Sequence, residues 1–234
     1  MKTLRILLFF ISTLCTAHFV SGQDDTEKIQ DTTAVKTKYG LRLGLDLAKP
    51  LRSLLEDGYT GFEVLADFRI QERFYLAAEF GNETKDYFEP NLNASTNGSF
   101  LKIGANYNAY ENWLGMTNEI FVGLRYGLSN FNQELLAYSI YTTDQSFPPT
   151  IVVEPQEFSG LTAHWAELIV GFKTEVFTNV FLSINLQLKR KLAEDTPDNF
   201  DNLYIPGFNR TYDFSEWGVG YGYTISYLLP LFKN

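Results

Sequence analysis

The sequence is poor in the residues that carry thiol and imidazole chemistry. Its 234 residues include one cysteine, Cys15, and two histidines, His18 and His164. A single cysteine cannot form an internal disulfide, and Cys15 lies within the apolar N-terminal region. Thiolate metal sites and thiol nucleophiles are therefore excluded for the rest of the chain, where any imidazole catalysis would depend on His164.

Positive charge is also scarce. The chain has 19 lysines and arginines against 28 aspartates and glutamates, which gives a formal net charge of −9 at pH 7. A chain of this charge repels the phosphates of nucleic acid, so we expect no nucleic-acid partner.

Long apolar runs are missing after the N-terminus. A membrane-spanning helix needs about 20 consecutive apolar residues, and no run beyond Ile6–Leu14 approaches that length. If the remaining chain is integral to a membrane, it must cross as strands. Those strands must close into a barrel, because lipid satisfies no backbone hydrogen bond.

The N-terminus has the order of features found in export signals. Lys2 and Arg5 precede the apolar run, and the small residues Ser21 and Gly22 follow it. We predict a signal peptide over residues 1–22 and a flexible periplasmic tail over residues 23–38, which are polar and lack any period.

From residue 39 onward, apolar and polar residues alternate with a period of two. Side chains of a strand point alternately to its two faces, so each segment presents one apolar face and one face with charges and glycines. This pattern predicts an all-β fold, a transmembrane antiparallel up-and-down β-barrel of eight strands within residues 39–234. The predicted strands are residues 39–47, 61–70, 74–81, 101–108, 120–128, 166–173, 182–189 and 217–227.

The connections support the same fold. Those at 71–73, 110–118 and 174–179 are short, as periplasmic turns are, whereas those at 48–60, 82–99, 130–160 and 190–216 are long, as extracellular loops are. Four large apolar residues depart from the rule that inward side chains are polar: Leu65, Phe121, Trp165 and Phe181.

The inward charges predict how the barrel interior is filled. A barrel of eight strands is only wide enough for side chains, and six acids and six bases would neutralise each other there as a network of ion pairs. We therefore expect a plugged lumen without transport or catalysis. The predicted lumen network comprises Arg42, Asp46, Glu63, Asp67, Arg69, Glu79, Lys102, Glu119, Arg125, Glu167, Lys173 and Lys189.

The chain resembles the small outer-membrane barrels of Gram-negative bacteria, and three phrases resemble a Bacteroidota barrel family of unknown function. They are Gly44–Pro50, Ala77–Gly81 and Glu167–Gly171. The last strand, alternating from Tyr221 to Tyr227 with Phe232 near its end, is similar to the signal read by the barrel-assembly machinery. It departs from that signal in Pro230 and in its final Lys233 and Asn234. The resemblance implies insertion into the outer membrane by that machinery, in contact with membrane lipid and lipopolysaccharide.

Two long connections carry more apolar surface than a free loop needs. One combines Tyr138–Tyr141 with Ile151–Val153 and predicts a hairpin above the membrane, whose edge could accept a partner strand. The other is rich in aromatic and aliphatic residues from Phe200 to Phe214. These loops either cap the barrel mouth or bind a partner. The candidate partner surface comprises Tyr138, Ile140, Tyr141, Leu203, Tyr204 and Phe208.

The functional hypothesis is a structural or interaction protein, such as an accessory subunit of an outer-membrane assembly or secretion complex, with membrane-protein partners. We expect no enzymatic activity, no cofactor and no metal. The acidic residues Asp195, Asp198, Asp201 and Asp213 lack the spacing of a calcium loop. Two alternatives remain open, a lipid-modifying enzyme that uses His164 and a surface adhesin.

Overall fold

The structure, a computed structural model, describes residues 38–110, 118–140, 150–212 and 214–233. The predicted signal peptide and all but the last residue of the predicted tail lie outside the described residues, and so do Tyr141 and Asp213. Among the described residues, no helix is long and apolar enough to cross a membrane.

Eight long antiparallel strands form a closed ring in which each strand pairs with its sequence neighbours, and the last pairs with the first. The prediction of an all-β, up-and-down, eight-stranded barrel is confirmed. Three short strands and one helix lie in the connections. The strands are β1 (Lys38–Asp46), β2 (Tyr59–Arg69), β3 (Phe74–Glu89), β4 (Leu92–Asn108), β5 (Glu119–Ile140), β6 (Thr150–Val152), β7 (Gln156–Phe177), β8 (Val180–Glu194), β9 (Tyr204–Ile205), β10 (Asn209–Arg210) and β11 (Trp217–Lys233), and the helix α1 is Ala48–Leu55.

The barrel has a polar interior and an apolar exterior, as a membrane-spanning barrel requires. On β5, for example, Ile120, Val122 and Leu124 are exposed on the outside, whereas Glu119 and Arg125 are buried inside. The same alternation runs around the ring. The four inward apolar residues predicted as exceptions also face the interior, where Phe121, Trp165 and Phe181 are buried and Leu65 is half-buried.

The two ends of the barrel differ. One end, which we call the turn end, carries the connections at residues 70–73, 109–118 and 178–179. The opposite end, which we call the loop end, carries α1, the β5–β6 hairpin and the connection at residues 195–216.

The connection predicted at residues 82–99 is not a loop. Strands β3 and β4 continue through it and leave only residues 90 and 91 as a turn, so the prediction of a long connection there is wrong. Side-chain bonds such as that from Asn82 Nδ2 to Ser99 Oγ, 3.1 Å, link the extended strands. This part of the sheet extends beyond the apolar band, so polar residues occupy both of its faces and the local pattern looks like that of a loop.

Helix α1 occupies part of the connection predicted as the loop at residues 48–60. Asp46 Oδ1 accepts a hydrogen bond from the Lys49 backbone N–H, 2.9 Å, and thereby satisfies a donor in the first turn. Lys49 points into the barrel, where it pairs with Glu63, whereas Leu54 on the opposite side is 83% exposed. The helix therefore lies at the rim of the loop end, between the lumen and the exterior.

Candidate functional site

The lumen near the turn end is closed by four charged side chains, which we call the turn-side cluster: Arg42, Asp67, Glu119 and Lys173. Arg42 Nε lies 2.5 Å from Asp67 Oδ1, and Lys173 Nζ lies 2.6 Å from Asp67 Oδ2. The Arg42 guanidinium also binds both oxygens of Glu119, at 2.5 and 3.2 Å. Two acids and two bases are thus neutralised within one buried group.

Aromatic rings hold the arginine of this cluster in place. The Arg42 guanidinium carbon is 4.6 Å from the centre of the Tyr75 ring and 5.2 Å from that of the Phe181 ring. Phe181, one of the inward apolar residues, therefore stabilises the buried Arg42 as a cation–π partner.

A second group of charges fills the lumen towards the loop end. This loop-side cluster comprises Lys49, Glu63, Glu79, Glu83, Lys102, Arg125, Glu167 and Lys189. Lys102 lies at its centre, 2.5 Å from Glu79 and 3.1 Å from Glu63. Arg125 Nε donates to Glu79 at 3.0 Å.

The structure buries ten of the twelve residues of the predicted lumen network, and Glu79 retains only 12% exposure of its side chain. Arg69 differs. It is half-buried at the turn end, where it donates to the carbonyl oxygens of Gln71 and Glu72 and lies over the Tyr75 ring. Asp46 belongs to neither cluster and instead accepts backbone hydrogen bonds from Lys49 and Tyr223.

Little space is left in the middle of the lumen. The cavity in the middle of the lumen has a volume of about 40 Å³, which is room for roughly three water molecules.

Glu83 joins the barrel to the connection that covers its mouth. One carboxylate oxygen accepts hydrogen bonds from the Tyr204 hydroxyl and the Gly207 N–H, both at 2.8 Å. The other accepts from the Tyr59 hydroxyl at 2.9 Å and from Lys49. Burial and the neighbouring carboxylate raise the pKa of Tyr204 well above its ordinary value, so the phenol remains a donor.

Sequence reasoning missed Glu83 and Lys49 because both lie in segments predicted as loops. One signal was present. Glu83 continues the period of two set by Glu79, and its side chain therefore points to the same face of β3.

The connection at residues 195–216 folds into the mouth as an apolar cap. Ile205 and Phe208 pack against Phe100, Phe131 and Trp165 in one buried group. Glycine is required at position 207 because its φ is +81° and an added Cβ would lie 2.5 Å from the Phe100 ring.

The apolar loops were predicted either to cap the barrel mouth or to bind a partner, and the loop at residues 195–216 forms a cap. Tyr204 is 1% and Phe208 is 2% exposed, so their assignment to a partner surface is wrong. Leu203 is half-buried, and Gln133 accepts a hydrogen bond from its backbone N–H at 3.0 Å. The local sequence could not show this outcome, because the apolar partners come from distant strands.

The other predicted loop surface does form a hairpin. β6 pairs with the end of β5, with Tyr138 opposite Val152 and Ile140 opposite Thr150. Ile140, Ile151 and Val153 are 50%, 66% and 69% exposed. β6 is the terminal strand of the sheet order, so one of its edges has no neighbouring strand within the described residues.

His164 lies at the outer rim rather than in the lumen. Its Nδ1 atom is 2.9 Å from the Tyr126 hydroxyl in an exposed contact. Within the described ranges no serine hydroxyl hydrogen-bonds this ring, and no group of three or more metal-ligating side chains is found.

No curated protein is significantly similar to the chain. Among solved structures, the chain is similar to Neisserial surface protein A (NspA), with 10% sequence identity and a TM-score of 0.43, over 83% of this chain and 99% of that one. The family profile described as "Domain of unknown function (DUF6048)" matches residues 3–234, and the chain therefore belongs to that family.

Proposed function

We propose that this protein is an integral outer-membrane barrel with a closed lumen, and that it acts as a structural or interaction subunit through its surface. The observation that supports this most strongly is the filling of the interior. The turn-side cluster, the loop-side cluster and the apolar cap lie one above another along the barrel, and a water-filled passage would require all three to be displaced.

An interior of this kind leaves the exterior as the place where function resides. The β5–β6 hairpin presents Ile140, Ile151 and Val153 to solvent beyond the apolar band. Exposed aliphatic side chains beside an unpaired strand edge are typical of sites where another chain adds a strand or buries an apolar face. This hairpin is the surface we assign to a protein partner.

Each surface of the barrel has a proposed contact in the outer membrane. The apolar band contacts membrane lipid and the acyl chains of lipopolysaccharide, the barrel-assembly machinery inserts the chain, and the hairpin contacts another membrane protein. An accessory subunit of an outer-membrane assembly or secretion complex fits this set of surfaces.

The test is purification of the tagged protein from its native membrane in mild detergent, followed by identification of the proteins that accompany it. Ile151→Asp and Val153→Asp together should remove those proteins while the barrel stays folded. Thr150→Asp together with Gln156→Asp is the matched control, because it adds the same two charges at exposed positions of the same region without removing large apolar side chains. The same set of proteins with the double variant as with the control would contradict the assignment of the hairpin.

A further inference from the structure

The wall of the barrel is incomplete beside β11. β1 pairs with β11 only as far as Asp46 opposite Thr224. Beyond that point Leu47 N–H donates to the Tyr223 carbonyl and Asp46 accepts from the Tyr223 N–H. Backbone N–H and C=O groups of alternate residues point to the same edge of a strand, so those of Tyr221 and Val219 point to the same edge of β11 as those of Tyr223. Within the described part of the chain, no strand pairs with them at that edge.

The facing side of the gap is formed by β2 and α1. β1 pairs with β2 only as far as Leu45 opposite Val64. Beyond that level α1 covers the edge of β2, with the Gly61 N–H donating to Ser53 Oγ at 3.1 Å. On the β11 side, Asn209 donates to the Val219 carbonyl at 3.3 Å. Side chains therefore replace the missing strand only in part.

A cavity of about 360 Å³ occupies this gap. Its inner end is lined by charged lumen residues, including Lys49, Glu63 and Lys189. Its outer end is lined by Leu186, Val219 and Tyr221, which are exposed on the apolar exterior of the barrel. A single cavity thus joins the polar interior to the surface that faces the bilayer.

The acids that line this cavity already have partners. Asp46 accepts two backbone hydrogen bonds, from Lys49 and Tyr223. Glu63 pairs with Lys49 at 3.3 Å and with Lys102 at 3.1 Å. Each of these two carboxylates therefore already has two donors or cations beside it.

The bases retain spare donor capacity. Lys189 is 2% exposed, donates to the Gly207 carbonyl at 2.7 Å, and has its nearest carboxylate, Glu167, at 3.8 Å, beyond hydrogen-bond length. An ammonium group has three donors. Arg52 also lines the cavity. Its Nε and Nη2 atoms donate to Glu56, whereas its Nη1 atom makes only a long contact of 3.4 Å with the Tyr204 hydroxyl. A buried site with unused cationic donors and satisfied acids favours an anion.

We propose that this cavity binds a membrane amphiphile with an anionic head group, either a phosphate or a carboxylate. The head group accepts hydrogen bonds from Lys189 and Arg52, and the acyl chain lies outside along Leu186, Val219 and Tyr221. The lipid would also cover the open edge of β11, whose polar groups are costly to leave in hydrocarbon.

The test uses the full mature protein, released from detergent micelles into a native mass spectrometer after titration with defined amphiphiles. Oleoyl lysophosphatidate and oleate should each be retained at one per protein, and the stronger of the two identifies the head group. Zwitterionic oleoyl lysophosphatidylcholine should bind at least about tenfold more weakly. A tenfold difference in affinity corresponds to the loss of one charge-assisted hydrogen bond. Equal retention of all three amphiphiles would overturn the assignment of an anionic site.

Variants of the apolar end locate the acyl chain. In Leu186→Trp the larger side chain occupies the outer part of the cavity, where the acyl chain is proposed to lie. This variant should reduce retention of the anionic amphiphiles about tenfold. Ile184→Trp is the matched control, because it lies on the same strand and the same exposed face but outside the cavity lining. Equal binding by the two variants would overturn the proposed location.

Variants of Lys189 test the head-group contact. Lys189→Gln should weaken binding about tenfold, and Lys189→Arg, which keeps the charge and the donors, should retain most of it. Unchanged binding by a folded Lys189→Gln protein contradicts the proposed contact. If that variant does not fold, the comparison of Leu186→Trp with Ile184→Trp decides the question alone.

Discussion

Arg42 of β1 and Glu119 of β5 meet across the lumen, with both guanidinium Nη atoms bound to the two carboxylate oxygens at 2.5 and 3.2 Å. The two residues are 77 positions apart in the chain. Their contact joins opposite walls of the barrel at the turn end.

Removing Arg42 should destabilise the barrel strongly. Arg42→Ala leaves the buried Glu119 without two hydrogen bonds and Asp67 with one cation fewer, and breaking such a buried pair costs about 3–5 kcal/mol. The free energy of unfolding is measured by urea denaturation in detergent. The folded fraction is determined from the heat-modifiable migration of the barrel in a gel. Arg190→Ala is the control, since its contact with Glu216 is exposed, and should cost under about 1 kcal/mol. Equal losses would show that the turn-side cluster adds no specific stability.

Neutralising Glu83 should loosen the cap. Glu83→Gln keeps the size of the side chain but weakens the hydrogen bonds from Tyr204 and Gly207, by about 1–3 kcal/mol in total. Amide hydrogen exchange in the segment 203–208 should accelerate, whereas exchange in β5 should not. Glu157→Gln, at an exposed position, should leave both rates unchanged. A cap that exchanges slowly in Glu83→Gln would mean that apolar packing alone holds it.

The carboxyl group of Glu56, beyond the C-terminal end of α1, should titrate at unusually low pH. Hydrogen bonds from Arg52 and Lys85 lower its pKa from 4.5 to about 2. Because the folded-state pKa is the lower one, this pairing stabilises the fold above about pH 4.5, and the contribution disappears as the pH falls towards 2. Carbon-13 NMR of labelled glutamate can follow the titration. In Arg52→Gln the pKa should move back towards 4.5, and an unchanged value would rule out the role of Arg52.

His164 should be dispensable. Its ring contacts Tyr126 at the exposed rim, so His164→Ala should change the free energy of unfolding by less than about 1 kcal/mol. Mass spectrometry of lipid A from cells that carry this variant should show the normal acylation pattern. A loss of acyl groups, or a gain, would favour the lipid-modifying enzyme over the interaction subunit.

The sequence predicts the membrane-spanning part of this fold because hydrocarbon and lumen make opposite demands on alternate residues. Leu43 and Leu45 flank Gly44 on β1, and Arg42 and Asp46 continue the inward face, so a period of two is visible without any structure. The inward position of the charged residues was predicted from the same alternation.

The parts that were not predicted lie where that contrast ends. Beyond the apolar band, Asn82 and Ser99 can face water on either side of the sheet, so extended strands look like loops. The destination of Tyr204 and Phe208 depends on pockets formed by Phe100 and Phe131 on other strands. An apolar loop residue carries no local sign of whether it will be buried by its own barrel or by a partner.

Conductance across a planar lipid bilayer distinguishes a closed lumen from a water-filled pore. The purified protein, inserted at single-molecule density, should give no sustained open level, because the two charge clusters and the cap occlude the interior. Large and stable single-channel currents from the unmodified protein would contradict a closed lumen, since they require a continuous water-filled passage where the structure has ion pairs.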